Sequence, residues 1–583
     1  MSTIVRWKLR PEDAESDALM AAELKISPAM AALLRHREVG PPDAARAFLD
    51  PKLSDLEPPE ALGDVDKGSE RLARAIRNGE RIVVYGDYDV DGMTGTCLIS
   101  NFLRLAGANH DWYIPNRLKE GYSFSPESLD FLLGHAHPPR VVVTVDHGIS
   151  AVEPIRRFKA AGVDVIVTDH HEPPETLPLD AYALINPRKV GDPSRFKDLC
   201  GAGVAFKLIW ATAQKLSNAT RVSDAFRAYL LDATAFVAMA TVADVVRLWR
   251  DNRILCSNGL RALRATARPG LRALLRAARL DGQELHASHV GFRIGPRLNA
   301  AGRLGMAEKA VELLTTEDEA RAEALAAELD AANLRRQEIE KIMLREAEQL
   351  LRADPPAAED AVCLGSTRWH PGVIGVVASR LVDRYHVPVM LAALNGAQGR
   401  GSARTPAGIH LRDLLAECSE HLVSFGGHAG AAGCTVDEAS FPAFQTAFRA
   451  AAARALRKSP LQKTIDIDLE LPFRMVVPAF MDEIARLAPH GAGNPAPVFC
   501  THGLRSVGRP SVVGEGGEHL RCLLTDGERS IRAVGFRLGS RAASISGPGA
   551  RLSAAYRLKF DTFREPGAVE LDLLDIRPAD PSS

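Results

Sequence analysis

Three stretches of sequence decide the fold: Ile82-Val83-Val84-Tyr85-Gly86-Asp87-Tyr88-Asp89-Val90-Asp91-Gly92, Val141-Val142-Val143-Thr144-Val145-Asp146-His147-Gly148 and Val163-Asp164-Val165-Ile166-Val167-Thr168-Asp169-His170-His171. Each is an apolar, β-branched run that ends in acids or histidines, which is typical of a strand buried in a parallel sheet. Ligand sites in open α/β sheets collect beyond the carboxyl ends of such strands. The sequence therefore predicts one crevice lined by a small set of side chains: Asp87, Asp89, Asp146, His170 and His171.

So many carboxylates in one crevice repel each other, and a bound cation is the usual means of relieving that repulsion. The first stretch also matches the start of a calcium-binding EF-hand loop. A strand precedes it, however, and its twelfth position is Leu98, where that loop needs a Glu. Asp91-Gly92 is therefore interpreted as a turn and a helix N-cap. Carboxylate and imidazole ligands suit Mn²⁺ or Mg²⁺, so the crevice predicts a metal-dependent hydrolase.

A further acid, Asp244, lies within the apolar stretch 240–246. A buried Asp must be paired or bound to a metal, so Asp244 is a candidate ligand. A helix N-cap is the structural alternative, and Asp232 is a weaker rival for the same role.

Two later stretches predict a phosphate site. The glycine-rich stretch 426–433 contains one histidine, His428, and lets a phosphate approach backbone N–H groups, although a tight turn is the alternative. Just before it, Gly399-Arg400-Gly401-Ser402-Ala403-Arg404 supplies two arginines and a hydroxyl. Such a cluster suits a terminal phosphate, because Arg can bind a phosphate through two hydrogen bonds at once.

Composition restricts the class of protein. A chain of 583 residues is too long for one core, and 46% hydrophobic with 25% charged residues is ordinary for a soluble globular protein. The eight cysteines form no CxxC pair, which argues against a zinc ribbon and favours reduced thiols in the cytoplasm. The first residues contain no apolar signal core, and we find no stretch long enough to span a bilayer.

The net charge of −1 gives no hint of nucleic acid, but the arginines are clustered. Residues 250–279 contain eight arginines and one acid, Asp251, which fits a solvated helical face and a nucleic-acid contact equally well. Arg293, Arg297 and Arg303 follow among glycines and Asn299, a setting that favours a phosphate-contacting loop.

The predicted fold class is α/β, with two α/β lobes joined by a long helix and a C-terminal β-barrel. We expect an N-terminal helical cap over 1–75, the first lobe over 76–280, a linker over 281–356, the second lobe over 357–458 and the barrel over 459–578. Within the linker, 317–352 has no Pro or Gly, which predicts one long helix ended by Pro355-Pro356. A coiled-coil dimer is the alternative, but the heptad pattern is poor, so a spacer helix fits better.

With Asp-x-Asp, Asp-His-Gly, Asp-His-His and Gly-Gly-His-Ala-Gly in this order, the chain resembles the DHH phosphoesterase superfamily. Three more motifs resemble the RecJ family within it: Gly-Pro-Arg-Leu-Asn-Ala-Ala-Gly-Arg at 295–303, Trp-His-Pro-Gly-Val-Ile-Gly at 369–375 and Pro-His-Gly-Ala-Gly-Asn-Pro at 489–495. The resemblance covers about residues 75–575 and implies a DHH lobe, a DHHA1 lobe and an OB-fold barrel.

The resemblance also implies the chemistry. Two Mn²⁺ or Mg²⁺ ions would be bound, one by Asp89, Asp146, His170 and Asp244, the other by Asp87 and the bridging Asp146. His171 would contact the scissile phosphate and His428 the reacting phosphoryl group. The DNA 5′ phosphate would be held by Arg117, Arg303, Ser402 and Arg404, with Arg297 and Asn299 as further DNA contacts. Many relatives have His where this chain has Tyr85, and Gly where it has Ser123.

The implied activity is 5′→3′ exonuclease action on single-stranded DNA in repair and recombination, releasing 5′-mononucleotides. Expected partners are single-stranded DNA, a single-strand-binding protein and a helicase. The protein is expected to be a monomer and not to associate with a membrane. One rival is another DHH enzyme that cleaves short oligonucleotides or cyclic dinucleotides, but those chains generally lack a barrel and a spacer helix. A non-catalytic replication scaffold is the other rival, and the complete set of candidate ligands argues against it.

Overall fold

The structure is a computed structural model, and it describes residues 5–353, 360–514, 516–546, 550–561 and 567–579. These residues form two compact units. The large unit comprises 58–244 and 259–462, and the small unit comprises the described residues of 1–57, 245–258 and 463–583. The small unit is therefore assembled from three separate segments of the chain.

The strands are β1 (Arg6–Leu9), β2 (Ile82–Gly86), β3 (His110–Tyr113), β4 (Val141–Val145), β5 (Asp164–Thr168), β6 (Ala183–Ile185), β7 (Val362–Ser366), β8 (Val389–Leu394), β9 (Gln398–Arg404), β10 (Ser424–Gly427), β11 (Ala431–Asp437), β12 (Thr464–Ile467), β13 (Leu469–Glu470), β14 (Phe499–Val513), β15 (His519–Thr525), β16 (Ser530–Gly535), β17 (Leu552–Phe560) and β18 (Val569–Pro578).

The helices are α1 (Ala14–Leu24), α2 (Pro28–Arg35), α3 (Pro42–Leu49), α4 (Val65–Arg77), α5 (Val90–Leu105), α6 (Pro126–Leu133), α7 (Val152–Ala160), α8 (Gly201–Ser217), α9 (Asp224–Ala243), α10 (Arg250–Arg264), α11 (Pro269–Ala277), α12 (Ala287–His289), α13 (Gly295–Arg303), α14 (Ala307–Thr315), α15 (Glu319–Ala353), α16 (Ile374–Tyr385), α17 (Leu411–Glu417), α18 (Phe441–Lys458) and α19 (Pro478–Ala485). A π-helical turn, Val290–Ile294, lies between α12 and α13. Short 3₁₀ turns occur at Leu53–Asp55, Pro59–Ala61, Ser419–His421, Glu438–Ser440, Phe473–Met475 and Gly539–Arg541.

The first lobe of the large unit contains a parallel five-stranded sheet in the order β3-β2-β4-β5-β6. Strands β2 and β4 are buried throughout, as their apolar runs predict. The order places the first and third strands of the sheet side by side, so the chain reverses its direction of winding between β2 and β4. Ligand sites of doubly wound sheets lie at this switch point, beyond the carboxyl ends of the strands.

The second lobe is a mixed sheet in the order β10-β11-β9-β8-β7, in which only β7 and β8 pair in parallel. The long helix α15 joins the lobes, as predicted, and its 35 residues span roughly 50 Å. Its buried residues pack inside the unit, with Met343 and Ala347 in the core that contains Trp369. The predicted stop at Pro355-Pro356 lies outside the described residues.

The small unit contains a closed five-stranded barrel in the order β14-β15-β16-β18-β17, with β17 pairing back to β14. Only β16 and β18 pair in parallel, which gives the strand arrangement of an OB-fold and confirms the predicted barrel. The N-terminal segment belongs to this unit: β1 pairs with β12, and Met30 and Phe48 share a core with Phe473.

The arginine-rich stretch contributes to packing in both units. Arg253, which is 2% exposed, donates hydrogen bonds to the carbonyl oxygens of Phe48, Leu487, Arg486 and Ala488, all in the small unit. In the large unit, Arg268 pairs with Asp232, and Arg272 and Arg276 pair with glutamates of α15. These arginines are therefore bound to protein groups, and Asp232, paired in this way, is not a rival ligand.

One described helix, α9, is long and apolar enough to cross a membrane, judged by length and composition alone. The expectation from the sequence that no stretch is long enough to span a bilayer is therefore wrong. In the structure, 61% of its most apolar window is buried inside the protein. The helix packs against α5 and α8 beneath the sheet, which accounts for its apolar composition.

Candidate metal centre and phosphate pocket

The predicted crevice exists at the carboxyl ends of β2, β4 and β5. Potential ligand atoms lie within 4.8 Å of one another in three groups: Asp87, Asp89 and Asp146; Asp146, His170 and His171; and Asp91, His170 and Asp244. The structure thus brings together all six metal and phosphate candidates that the sequence assigned to this crevice, and it adds Asp91. Because Asp146 and His170 each belong to two groups, the three groups form one continuous cluster.

Asp146 lies at the centre of this cluster in a strained backbone conformation. Its φ of 66° is in the left-handed region, which a non-glycine residue seldom adopts outside functional or turn positions. Its Oδ1 lies 3.1 Å from Nε2 of His170. The first residue of α8, Gly201, makes room for it, because a Cβ there would lie 2.8 Å from that same oxygen.

No Lys or Arg of the described residues forms an ion pair with the carboxylates of the cluster, whose ion-pair partners are histidines. Burial, reinforced by neighbouring carboxylates, raises the pKa of Asp87 and of Asp146 well above the usual range of an acid. The same causes raise the pKa of Asp244 to about 8. Oδ1 of Asp87 and Oδ1 of Asp146 have no hydrogen-bond partner among the described residues. Such buried, unpaired oxygens fit a divalent cation, which would supply the missing positive charge.

His170 is suited to bind a metal ion. Burial, assisted by the neighbouring His171, lowers its pKa to about 3, so the ring is neutral and keeps a lone pair. Its Nε2 lies 3.6 Å from Oδ2 of Asp244 and has no hydrogen-bond partner in the described part of the chain. An uncommitted imidazole nitrogen facing carboxylates completes a donor set that suits Mn²⁺ or Mg²⁺.

His171 has the opposite electrostatic character. Burial lowers the pKa of its ring, but the hydrogen bond from Nδ1 to Asp169, 2.8 Å long, and the negative charges of nearby carboxylates together outweigh burial and raise the pKa to about 9. Burial likewise opposes ionisation of Asp169, yet its bonds to His171 and to the N–H of Ile149 lower that pKa to about 2. A positively charged imidazole held by a carboxylate is better suited to contact a phosphate than to bind a cation.

Asp91 is the residue of the cluster that sequence reasoning missed. The N-cap of α5 is Asp89, whose Oδ1 accepts from the N–H groups of Asp91 and Gly92, so the interpretation of Asp91 as the N-cap is wrong. The carboxylate of Asp91 instead accepts from the N–H groups of Gly201 and Ala202, at 2.6 and 2.7 Å. It anchors the first turn of α8 against the metal cluster, a contact between residues far apart in the sequence.

The four residues predicted to hold the 5′ phosphate form a cationic pocket in the same unit. Nη1 of Arg404 donates to Oγ of Ser402 at 3.1 Å, and Nη1 of Arg303 donates to the carbonyl of Gly372 at 3.0 Å. Burial, together with repulsion from Arg117 and Arg404, lowers the pKa of Arg303 to about 10. None of these three arginines pairs with a carboxylate in the described ranges, so the pocket is suited to an anion.

Arg117 connects this pocket to the metal cluster. Its guanidinium lies 4.8 Å from the ring centre of Tyr88, the residue between the first two acids of the cluster. The predicted positions of the metal ions and of the 5′ phosphate are thereby neighbours, since both adjoin the loop after β2.

Three other residues predicted to contact DNA lie outside the groups of potential metal ligands and outside the cationic pocket. His428 is exposed at the turn between β10 and β11, and it belongs to none of the ligand groups found among the described residues. Arg297 pairs with Asp330 at 2.8 Å and donates to two backbone carbonyls, so its guanidinium supports α13. Asn299 is half-buried on α13. Their roles in binding DNA stay predictions.

The two departures from the family pattern have structural explanations. The hydroxyl of Tyr85 donates to Oγ of Ser128 at 3.0 Å, and its ring is buried in the apolar core of the lobe, so it offers the cluster no ligand. Ser123 has a φ of 64°, a conformation that favours glycine. The serine is accommodated in this conformation, and its hydroxyl lies 3.2 Å from Nδ1 of His147.

Comparison with known proteins agrees with these features. Residues 81–234 match the DHH family, N-terminal domain, residues 359–454 match the DHHA1 domain, and residues 467–575 match the RecJ OB domain. The single-stranded-DNA-specific exonuclease RecJ of Escherichia coli is 36% identical over 98% of this chain and 99% of its own length. The crystal structure of RecJ from Thermus thermophilus in complex with Mn²⁺ has a TM-score of 0.84 and 34% identity, covering 99% of this chain and 80% of that one. The complex of that enzyme with Mg²⁺ has a TM-score of 0.78 and 32% identity, covering 99% and 79%. With relatives this similar over its whole length, the chain belongs to the RecJ family.

Proposed function

We propose that this protein is a 5′→3′ exonuclease specific for single-stranded DNA, which releases 5′-mononucleotides. The observation that carries the proposal is the placement of an acidic ligand cluster beside a cationic pocket, both at the loop after β2. A pocket for a terminal phosphate next to a hydrolytic centre limits cleavage to the end of the strand. The relatives in Escherichia coli and Thermus thermophilus, similar over nearly the whole chain, support the same activity.

Two Mn²⁺ or Mg²⁺ ions would be held by the cluster. As the resemblance implies, Asp89, Asp146, His170 and Asp244 would hold one ion, and Asp87 with Asp146 would hold the other. All five of these residues lie in the cluster. When bound, the ions would supply the positive charge that activates a water molecule and stabilises the negative charge developing on the phosphate. The unpartnered oxygens of Asp87 and Asp146 support this assignment.

The chain's own residues position the strand. The positively charged ring of His171, held by Asp169, would contact the scissile phosphate and stabilise its growing charge. Arg303, Arg404 and Ser402 would bind the 5′ phosphate, which carries more charge than an internal diester. A pocket of this kind would favour 5′-phosphorylated ends and would set the length of the released product.

The barrel supplies a second surface for a long substrate. One side of it holds a cavity of about 530 Å³ whose lining includes the cations Arg509, Arg521 and Lys559, the rings of Phe536 and Phe560, and the acids Asp561 and Glu570. Cations that follow a phosphate backbone and rings that stack on bases are how OB-folds bind single strands. A groove of this kind favours a polymeric substrate over a cyclic dinucleotide or a very short oligonucleotide.

The expected setting of this activity is DNA repair and recombination in the cytoplasm, carried out by a monomer. All eight cysteines are buried free thiols, as suits a reducing compartment. An enzyme restricted to single strands needs a helicase to open duplexes, and a single-strand-binding protein keeps the opened strands extended. Both proteins are therefore proposed partners.

The test is degradation of a DNA strand labelled at its 5′ phosphate by the full chain with and without Mn²⁺. We expect metal-dependent release of mononucleotides from the linear strand, and no cleavage of the same sequence as a duplex or as a single-stranded circle. Cutting of the circle would refute the end-dependent mechanism. Cleavage of short oligonucleotides or cyclic dinucleotides alone would assign the protein to the other activity of the superfamily.

A further inference from the structure

An exposed aromatic side chain, on a segment that packs against the residues just before Asp244, has no part in the function proposed so far. Phe292 is 82% exposed, more than any other Phe, Tyr or Trp in the described part of the chain. It lies in the π-helical turn Val290–Ile294, which is closed by a hydrogen bond from the N–H of Gly295 to the carbonyl of Val290. π-Turns occur frequently at functional sites. Because single exposed apolar residues are common, the position and rigidity of this turn decide whether Phe292 has a role.

The turn is held firmly on the protein. Val290 and Ile294, on either side of Phe292, are fully buried. Arg293 donates hydrogen bonds to the carbonyls of Ala278 and Arg279, at the end of α11. The backbone of the turn is therefore fixed while the ring of Phe292 projects into solvent, and a ring held on a rigid element can bind a ligand without first being ordered.

The turn and the following helix α13 lie along the metal cluster. A Cβ on Gly302 would lie 2.1 Å from the carbonyl oxygen of Tyr88, in the loop that carries the first two acids of the cluster. A Cβ on Gly295 would lie 3.8 Å from that of Ala243, the residue before Asp244. The glycine face of this segment therefore contacts the loop of Tyr88 at one end, through Gly302, and the residue before Asp244 at the other end, through Gly295.

The neighbouring face of the same segment carries the side chains that could follow a nucleic-acid strand. Phe292, Pro296, Asn299 and Arg303 recur at helical spacing, so they share one face. From Phe292 to Arg303 this face extends roughly 16 Å, the length of a few stacked nucleotides at about 3.4 Å each. Arg303, in the phosphate pocket, is at one end, and Phe292 is at the end near Asp244.

We propose that Phe292 is the stacking platform for a base on the 3′ side of the scissile phosphate. This inference rests on the proposed function, which places the 5′ phosphate at Arg303 and the scissile phosphate at the metal cluster. A strand laid in that direction passes Phe292 directly after the cluster. Stacking on an aromatic ring tolerates every base, which suits an enzyme that degrades a strand regardless of its sequence.

The experiment compares steady-state kinetics of the full chain with Mn²⁺ on two 5′-phosphorylated strands. One strand is intact and the other has abasic sites at its second and third nucleotides. Phe292→Ala should raise KM about tenfold on the intact strand and have little effect on the abasic strand, because the base that it stacks is already missing. Phe292→Trp should restore the wild-type KM. Phe131→Ala, at another exposed ring on α6 that is 59% exposed, is the matched control and should behave as the wild type on both.

Two results would overturn the stacking role while leaving the proposed function intact: an unchanged KM for Phe292→Ala on the intact strand, or an equal increase on both strands. If the wild-type protein releases no mononucleotides from either strand, the proposed function and this inference both fail. Melting temperatures of the variants, which should match that of the wild type for an exposed residue, separate a binding defect from misfolding.

Discussion

The crevice of the large unit and the groove of the barrel, both proposed to bind DNA, have opposite electrostatic character. The crevice holds buried carboxylates such as Asp87 and Asp146, whose pKa values are raised by burial and mutual repulsion. The groove displays Arg509 and Arg521, cations on an open surface. The negative charge of the crevice must be neutralised by metal ions before a phosphate can bind there. The cations of the groove can contact a phosphate directly.

The difference predicts that the crevice determines whether DNA is cleaved, and that the groove contributes to how tightly a long strand is bound. A cluster that must be completed by metal ions has one productive geometry, so a change of one ligand should remove activity altogether. A surface of several solvated cations and rings adds many small contributions, so the loss of one should weaken binding in proportion. The following predictions test that contrast, from the largest expected effect to the smallest.

The sharpest test is Asp146→Asn in the crevice. Because Asp146 belongs to both proposed metal sites, we expect nuclease activity to fall about 10³-fold or more. Mn²⁺ should raise the melting temperature of the wild type and have little effect on the variant, since the variant lacks the ligand that both ions share. Asp413→Asn, with a side chain that is 78% exposed, is the matched control and should keep full activity. Substantial activity in a well-folded Asp146→Asn protein would contradict the two-metal assignment.

A smaller effect is expected in the phosphate pocket. Arg404→Ala should raise KM for 5′-phosphorylated strands by about 10- to 100-fold and remove their advantage over 5′-hydroxyl strands, because the variant cannot form the charged hydrogen bonds to the phosphate. Metal affinity should be unchanged. Arg400→Ala, an exposed arginine on the same strand β9, serves as the control. Steady-state kinetics on both substrates measure the preference, and a variant that retains it would disprove end recognition by this pocket.

In the groove we expect a graded loss. Arg521→Ala should weaken binding of a long single strand about tenfold at low salt, and it should reduce the slope of log K against log salt by about 0.7 for each phosphate that the variant no longer neutralises. Cleavage of a 5′-phosphorylated dinucleotide should be unaffected. Arg474→Ala, exposed in the same unit outside the groove, is the control. A decrease in dinucleotide cleavage equal to the decrease on long strands would mean that the groove does not act as a separate binding surface.

The crevice should also make stability depend on pH in the absence of metal. The folded-state pKa values of Asp91 and Asp244, about 7 and about 8, lie above the value of about 3.9 for an unfolded Asp. Between about pH 4 and pH 8 the folded protein therefore binds more protons than the unfolded chain, so stability falls as pH rises. We expect the melting temperature in EDTA to fall from pH 5.5 to 8, more steeply for the wild type than for Asp244→Asn. An equal slope in both proteins would contradict these pKa shifts.

The smallest effect concerns Ser123, outside both surfaces. Ser123→Gly should be more stable than Ser123→Ala by about 1 kcal/mol. Both variants lack the hydroxyl, but only the alanine keeps a Cβ in the left-handed conformation. Thermal unfolding of the two variants measures the difference. Equal melting temperatures would show that the loop relaxes its backbone when the serine is replaced.

The parts of the crevice that could be predicted from sequence are those encoded locally. Apolar runs define β2, β4 and β5, and the acids and histidines that follow them must lie at the strand ends. Asp91 could not be found in this way because its partners, the N–H groups of Gly201 and Ala202, belong to a helix distant in sequence. No local pattern reports such a contact.

Side-chain direction is the other limit of sequence-based prediction here. The Arg297 motif is visible in the sequence, but its guanidinium turns towards Asp330, a residue of the long helix. For the barrel, alternation along the strands predicts two faces without telling which one lines the groove, so the sequence alone does not identify its cations. In both cases the missing information is tertiary: which neighbour lies on which side.

The three-segment construction of the small unit has a practical consequence for dividing this protein. A cut before residue 463 would remove the strand that pairs with β1 and would expose Met30 and Phe48, whose core partner is Phe473. It would also take away the carbonyl groups of Leu487 and Ala488 that satisfy the buried guanidinium of Arg253. Barrel-less truncations should therefore aggregate or be proteolysed. Transplanting this module into another scaffold requires moving all three segments together.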